Sequence, residues 1–529
     1  MTATDLDVGA FSDDPPWEIH DPEGLGWRVG LEGIRARTNA RVPELIEPRR
    51  FPPTRRMLGV VRRLGVAFGG WYAIDRRRGQ EGSRAGLSRR LRIAFEALGP
   101  TYIKLGQILS GGEGVFPPEL VGEFKKCRDL VPAEPFETVV RVVEEDLGQE
   151  IDEVFSWVSP APLAAASIAQ VHAATLRTGE SVVVKVQRPQ VARLVREDLR
   201  VMAWLAPKLI GRIPVAALAN PPALVELFAE TITEELDFRL EAENMLDIAR
   251  ILAETEQRAW VVPRPHPELV TRRVLVMERL DGFAFDDVAG MKDAGIDTEA
   301  IVRAGMIAFL EGAMLYGTFH GDLHGGNLFV LPDGRTALLD FGITGRLGER
   351  RRLAVLRMLM AAMVNDVKGQ LQALADLGAL PQDSDFDALI IDLGLDRPPV
   401  DPTTLSKEEL VGELSRVIKA LMAYGAKMPK ELMLFVKDLV FLDGAIATLA
   451  PDVDLFGEIA YVATHFAVAH GDRIARDVGI DPRTVELDLD GVRASFGLTP
   501  EHEALTYREL QQRRELIRKR LGGKPTDVD

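Results

Sequence analysis

Cysteine is almost absent from this chain of 529 residues, with Cys127 the only one. Internal disulfides and Cys-rich zinc or iron-sulfur centres are thereby excluded, and a reducing compartment suits the composition. Long hydrophobic runs are missing too. A membrane-crossing helix needs about 20 mostly apolar residues in succession, whereas residues 431–450 are broken by Lys437, Asp438 and Asp443. No transmembrane helix is expected. The first 27 residues carry seven acids and no Lys or Arg, the reverse of the basic start of a secretory signal. Fixed-period repeats and low-complexity tracts are also lacking. Cations are in deficit: 64 Lys plus Arg face 80 Asp plus Glu, for a net charge of −16. Phosphate contacts require clustered cations, so no nucleic-acid partner is expected. The reading is a cytoplasmic protein, with any membrane contact peripheral and on the inner face.

What remains is ordinary globular composition, 46% apolar and 27% charged, with room for about two to four domains at roughly 150 residues each. Residues 1–48 read as an acidic, disordered leader. Residues 49–150 read as a basic, helical extension. Between Arg49 and Arg92 thirteen Arg meet only two acids, Asp75 and Glu81, a local charge of +11. Within it, Met57 to Ile74 mixes Val60, Val61, Leu64, Val66, Phe68, Trp71 and Tyr72 with Arg62 and Arg63. Such a stretch suits an anionic membrane surface, with apolar side chains in the headgroup boundary and arginines on lipid phosphates. The alternative is a helix packed on the protein's own body with a solvated Arg face.

Apolar spacing predicts helices over 91–109, 119–131 and 136–147, with Gly111, Gly112 and Gly114 as a break. Short β segments follow at 168–171, 173–176 and 181–186, with Thr178-Gly179-Glu180 as a turn. One long Glu-rich helix is expected over 224–252 and a strand over 273–280. A hairpin flanks Pro332-Asp333-Gly334, and 350–468 is mostly helical by pattern. The charged tail, 486–529, contains a helix from Glu503 to Leu521.

The strongest chemical signal is His320-Gly321-Asp322-Leu323-His324-Gly325-Gly326-Asn327, followed by a hairpin and Asp340-Phe341-Gly342. Moving a γ-phosphoryl group requires metal to neutralise phosphate charge and a group to position the acceptor. Asp340 and Asn327 would hold Mg²⁺, for which oxygen ligands are suited, and Asp322 would orient or deprotonate the acceptor. Metal binding through His320 and His324 is the alternative, but no third ligand stands nearby in sequence. Upstream, Val182-Val183-Val184-Lys185-Val186 puts a lysine inside an apolar strand, where an ammonium is costly unless it meets an anion. The α- and β-phosphates of ATP would be that anion, with a carboxylate from the 224–252 helix holding the lysine: Glu241 first, Glu235 second. Ala164-Ala165-Ala166-Ser167 stands where a phosphate loop belongs. Its backbone N–H groups remain available, though with less freedom than glycine would give. Adenine would pair with backbone groups of the hinge from Glu278 to Leu280.

These motifs together resemble the UbiB/AarF atypical kinase-like family, which includes the mitochondrial aarF-domain-containing kinases, over about residues 98–455. Lys104-Leu105-Gly106-Gln107 looks like its Lys-x-Gly-Gln segment, Glu235-Leu236-Asp237 its Glu-x-Asp motif, and Lys185 its strand lysine. The resemblance implies an α+β, two-lobed protein-kinase-like fold with a helical N-terminal extension, an N-lobe over 151–281 and a mostly helical C-lobe over 282–485. It implies a lid, formed by Lys104, Gln107, Glu235 and Asp237, that covers the site, with Lys104 paired to Glu235 of the Glu-x-Asp motif, leaving Glu241 for Lys185. It further implies ATP and Mg²⁺ as cofactors and a role in lipid or quinone metabolism more than protein phosphorylation. Ser110-Gly111-Gly112-Glu113-Gly114, Gly321 and Gly325 depart from the family pattern. Two rivals stay open: a small-molecule phosphotransferase of the aminoglycoside or choline kinase type, and a nucleotide-gated lipid-binding scaffold.

Overall fold

A computed structural model describes residues 10–47, 54–110, 117–126, 132–209, 221–257, 259–397, 400–426, 429–499 and 501–521. Cys127, the 111–114 glycine break and the final residues of the tail lie outside the described residues. The chain forms two compact units. One comprises Met1–Ala253, Val261–Asp281 and Leu338–Ile343, and the other Glu254–Trp260, Gly282–Ala337 and Thr344–Asp529.

The first unit begins with helices α1 (Leu31–Ile46), α2 (Thr54–Gly70), α3 (Gly79–Leu98), α4 (Pro100–Ser110), α5 (Pro118–Phe124), α6 (Phe136–Leu147) and α7 (Ile151–Val154). The strands β1 (Phe155–Val158), β2 (Ala164–Ala165), β3 (Ala169–Leu176) and β4 (Ser181–Gln187) follow, then α8 (Val191–Leu209), α9 (Pro221–Glu234) and α10 (Phe238–Glu254). After β5 (Trp260–Val261), strands β6 (Pro265–Val270) and β7 (Val274–Glu278) complete an antiparallel sheet in the order β1-β3-β4-β7-β6, with β2 on β3. The valines of β4 alternate between buried and less buried positions, as a half-covered strand requires. Gly179, at φ 108°, makes the β3–β4 turn that an L side chain would resist.

Three sequence expectations are corrected here. The leader is not disordered in its described part: residues 31–46 form α1, and Phe11, Trp27 and Leu31 are buried. The expected helix over 91–109 breaks at Gly99, whose φ of 99° ends α3 before Pro100 opens α4. The long helix over 224–252 is two helices. Asp237 accepts the Arg239 N–H at 3.2 Å, the bond of an N-cap, and so starts α10 anew after the Glu235-Leu236 break.

The second unit is mostly helical. Strand β8 (Phe283–Ala284), helices α11 (Val288–Asp293) and α12 (Thr298–Glu311), and a π-helical turn over Gly312–Tyr316 lead to β9 (Thr318–His320). Next come β10 (Leu328–Val330), β11 (Thr336–Leu338) and β12 (Thr344–Arg346). Helices α13 (Glu349–Met363), α14 (Val367–Asp376), α15 (Phe386–Leu393), α16 (Lys407–Ala423), α17 (Lys430–Leu449), α18 (Leu455–Val478), α19 (Leu489–Ser495) and α20 (Tyr507–Arg520) complete it. Antiparallel pairing of β9 with β12 sets Thr344 opposite His320 and so fixes one end of the loop that carries Asp322 and Asn327. No helix among the described residues is long and apolar enough to cross a membrane.

Candidate active site

Lys185 lies on β4 between Val171 and Leu275 of the neighbouring strands. Its ammonium sits 2.6 Å from Glu241 Oε1 and 3.4 Å from Asp340 Oδ1. Lys185 and Glu241 are 11% and 4% exposed, whereas Asp340 is 41% exposed. Burial alone would lower the lysine pKa; Asp340 and Glu241 outweigh it and hold the pKa above its ordinary value. The Asp340-Phe341-Gly342 turn is clamped by α10 as well, since Asn244 Nδ2 donates to the Phe341 carbonyl at 2.9 Å. Asp340 Oδ1 accepts the Gly342 N–H at 2.9 Å. A Cβ at Gly342 would lie 3.1 Å from Asp340 Oδ1 and 3.4 Å from Glu235 Cγ, which explains a glycine there.

The N-terminal segment grips the same helix. Arg28 binds both oxygens of Glu243 at 2.6 and 3.0 Å, and Arg35 reaches Asn244 Oδ1 at 2.9 Å. Neither arginine stands out in the sequence, because long-range pairing leaves no local pattern.

On α4, Lys104 pairs with Glu235 at 3.0 Å, with both side chains nearly buried. Gln107, one turn later, is partly buried, and its carbonyl accepts the Ser110 hydroxyl at 2.7 Å. Asp237 turns elsewhere, binding the Arg239 guanidinium at 2.9 and 2.7 Å. The structure thus brings Lys104 to Glu235, the pair that the resemblance implies, while Asp237 is held by the local Arg239.

The alanine run is a tight hairpin: Ala164 and Ala165 pair with Val171 and Gln170. Ala166 N–H donates to the Ala169 carbonyl at 2.9 Å, and the Ala166 carbonyl accepts from Arg188 Nε at 3.1 Å. Ala166 is thus corrected as a phosphate donor, because its N–H is already used. Ser167 is buried behind it. At the hinge, Glu278 N–H donates to the Arg264 carbonyl at 2.9 Å. The buried Glu278 carboxylate accepts from Ser12 Oγ and, at 3.1 Å, from Arg264 N–H. Leu280 follows just before the chain crosses between units at residues 281 and 282.

In the second unit, the Asp322 carboxylate pairs with Lys437 of α17. Asn327 Nδ2 donates to the Asp322 carbonyl at 3.1 Å, closing the loop on itself. His320 Nδ1 accepts Asp322 N–H at 3.2 Å and His324 Nδ1 accepts Gly326 N–H at 3.1 Å. Each imidazole serves its own turn, which removes the argument for a His320/His324 metal pair. Asp438, wholly buried on α17, accepts Leu323 N–H at 3.1 Å. In the sequence, Lys437 and Asp438 stand out only as interruptions of an apolar run. Two adjacent charges inside such a run were the available signal, since burying charge demands a partner.

Burial pushes the Asp438 carboxyl well above the usual carboxylate range, only partly opposed by Lys437. A carboxyl whose pKa rises on folding takes up a proton as the chain folds, so its contribution favours the fold at lower pH and weakens as pH rises. Asp438→Asn, which keeps the acceptor oxygen, is expected to hold wild-type melting temperature at pH 7. Asp438→Ala leaves the Leu323 N–H unpaired and is expected to lose about 1–3 kcal/mol. Calorimetry of the two variants checks this; equal melting would remove Asp438 as the anchor.

The ABC1 atypical kinase-like domain matches residues 126–374. The uncharacterized protein Rv0647c of Mycobacterium tuberculosis is 36% identical over 68% of this chain and 73% of its own length. The chain belongs to the ABC1 atypical kinase-like family. Two further relatives in that family carry the aarF and UbiB names. An Arabidopsis thaliana chloroplastic protein, the uncharacterized aarF domain-containing protein kinase At5g05200, is 32% identical over 69% of this chain and 72% of its own. The probable protein kinase UbiB of Marinobacter nauticus is 32% identical over 69% of this chain and 68% of its own. The fold is accordingly kinase-like, mixed α+β and two-lobed.

Proposed function

We propose that this chain is a Mg²⁺-dependent ATPase or atypical kinase of the UbiB/AarF type, linked to isoprenoid lipid or quinone metabolism at a membrane surface. The observation that carries the reading is the Lys185–Glu241–Asp340 cluster: a buried cation held on a strand by one buried acid, with a second acid half open to solvent. Lys185 would take the α- and β-phosphates, and Glu241 holds it in place. Asp340 offers a carboxylate oxygen of the kind that fits a hard cation, and Mg²⁺ bound to it would neutralise phosphate charge; the sequence motif supplies Asn327 as a further candidate ligand. Asp322 would orient or deprotonate the acceptor hydroxyl or water, with Lys437 fixing the direction of its carboxylate. The UbiB name of the relatives supports the quinone link. So does an apolar cavity of about 440 Å³ in the second unit, lined by Met306, Leu310, Met314, Ile459, Val462 and Phe466 among others, within the size range of small-molecule sites.

Helix α2 and the π-helical turn that follows it, Trp71–Asp75, support the membrane part. Met57, Leu64, Phe68 and Trp71 pack with buried Val60 against the first unit's core, while Leu58, Val61, Val66, Tyr72 and Ile74 are exposed. Arg62 and Arg63 line a shallow pocket with Val66 and Ile93. Not all of the counted basic charge is available to lipid. Arg56 binds both oxygens of the buried Asp198, at 2.6 and 2.9 Å, and Arg90 binds the buried Asp75 at 2.6 Å.

The test is ATP hydrolysis by the purified chain with Mg²⁺, with and without anionic liposomes. Turnover is expected to rise several-fold with liposomes, and Arg62→Gln/Arg63→Gln is expected to lose that rise while keeping the basal rate. No turnover in any condition would overturn the ATPase reading and favour an acceptor-dependent phosphotransferase or a scaffold. An intact lipid response in the Arg variant would overturn the α2 assignment.

A further inference from the structure

Among the described residues, Glu311, His465 and His470 bring one carboxylate oxygen and two imidazole nitrogens within 4.8 Å of one another. They lie in the second unit, Glu311 as the last residue of α12 and both histidines on α18. Glu311 is 2% exposed, and its Oε1 accepts from His465 Nε2 at 2.9 Å and His470 Nε2 at 2.7 Å. Its other oxygen, Oε2, is buried with no hydrogen-bond partner. Burying a carboxylate is costly unless charge or hydrogen bonds compensate fully, and both imidazoles meet Oε1, leaving Oε2 unanswered.

We infer that Glu311, His465 and His470 form a Zn²⁺ site. Two imidazoles and one carboxylate are a ligand set this borderline ion takes, with bonds of about 2.0–2.2 Å and a fourth position for water. His465, a third exposed, leaves a route for the ion and that water. On binding, each ring offers the Nε2 lone pair and carries its proton on Nδ1, and the ion brings positive charge to the buried carboxylate. The consequence is mechanical. Zn²⁺ would pin the end of α12 to α18 where the π-helical turn Gly312–Tyr316 begins, the turn leading into β9 and the Asp322 loop. Gly312 has no room for a side chain, because a Cβ would lie 2.6 Å from the Thr318 carbonyl oxygen. π-Helical turns of this kind recur at functional sites.

The full chain, free of any histidine tag and stripped with a chelator, is titrated with Zn²⁺ against a chromophoric competitor. One ion per chain is expected, with a higher melting temperature when it is bound. Co²⁺ in its place should give the visible bands of a low-symmetry, four-coordinate ion. His465→Ala and His470→Gln are each expected to weaken binding by at least about tenfold, since even the loss of a supporting partner around a metal costs 10–100-fold. Circular dichroism on the same samples reports folding. His465→Ala removes a partly exposed ring, so it guards against the chance that changes at buried positions unfold the chain. No Zn²⁺ taken from the competitor, or equal binding in wild type and both variants, would leave a hydrogen-bonded Glu-His-His set and overturn the site.

Discussion

Asp340→Asn is expected to abolish Mg²⁺-dependent ATP affinity and to lower turnover by at least about a hundredfold, the scale of removing one electrostatic element from a phosphoryl-transfer site. Asparagine keeps the size of the side chain and an oxygen for the Gly342 N–H, now accepted at 2.9 Å. It does not keep the negative charge that a hard cation selects. Because Asp340 is 41% exposed and Lys185 retains Glu241 at 2.6 Å, the variant should stay folded. The contrast to measure is ATP binding with and without Mg²⁺ by calorimetry. A wild-type dependence on Mg²⁺ in the variant would remove Asp340 from the metal site.

Lys185→Met is expected to damage the chain in two separable ways. It leaves Glu241, 4% exposed, without its cation, and breaking a buried pair by removing one partner costs about 3–5 kcal/mol. It also removes the cation assigned to the phosphates. Adding Glu241→Gln takes away the stranded charge, so the double variant should recover most of the stability. Nucleotide binding should stay lost in both. Melting curves and ATP titrations of the two single variants and the double complete the cycle. ATP binding at wild-type strength in the double variant would move the phosphate contact away from Lys185. Stability that does not recover would show that the two residues are not energetically coupled.

Which parts were legible follows from the range of the signal. The strand around Lys185 was readable from β-branched residues in succession, and α6 from its helical spacing, because both patterns are local. The break at Glu235 to Asp237 was not readable, since apolar spacing continues across it and the interruption depends on an aspartate used as a cap. The first 48 residues looked disordered on composition. The order of residues 10–47 comes from distant partners: Arg28 on Glu243, Arg35 on Asn244 and Ser12 on Glu278. Asp237, placed in the lid by resemblance, binds Arg239 two residues away.

By itself the sequence determined the chemical inventory: an aspartate and asparagine five residues apart, an Asp-Phe-Gly turn, a strand lysine, and charges too frequent for a membrane-spanning helix. Those choices are local, set by residue type, spacing and solvation cost. Only the tertiary structure decided pairings that no motif names: Arg28 on Glu243, Asp438 under the Asp322 loop, and Glu311 between two histidines 154 and 159 residues away. The physical reason is that a buried charge must find a partner wherever packing brings one. Packing joins positions that no spacing along the chain relates.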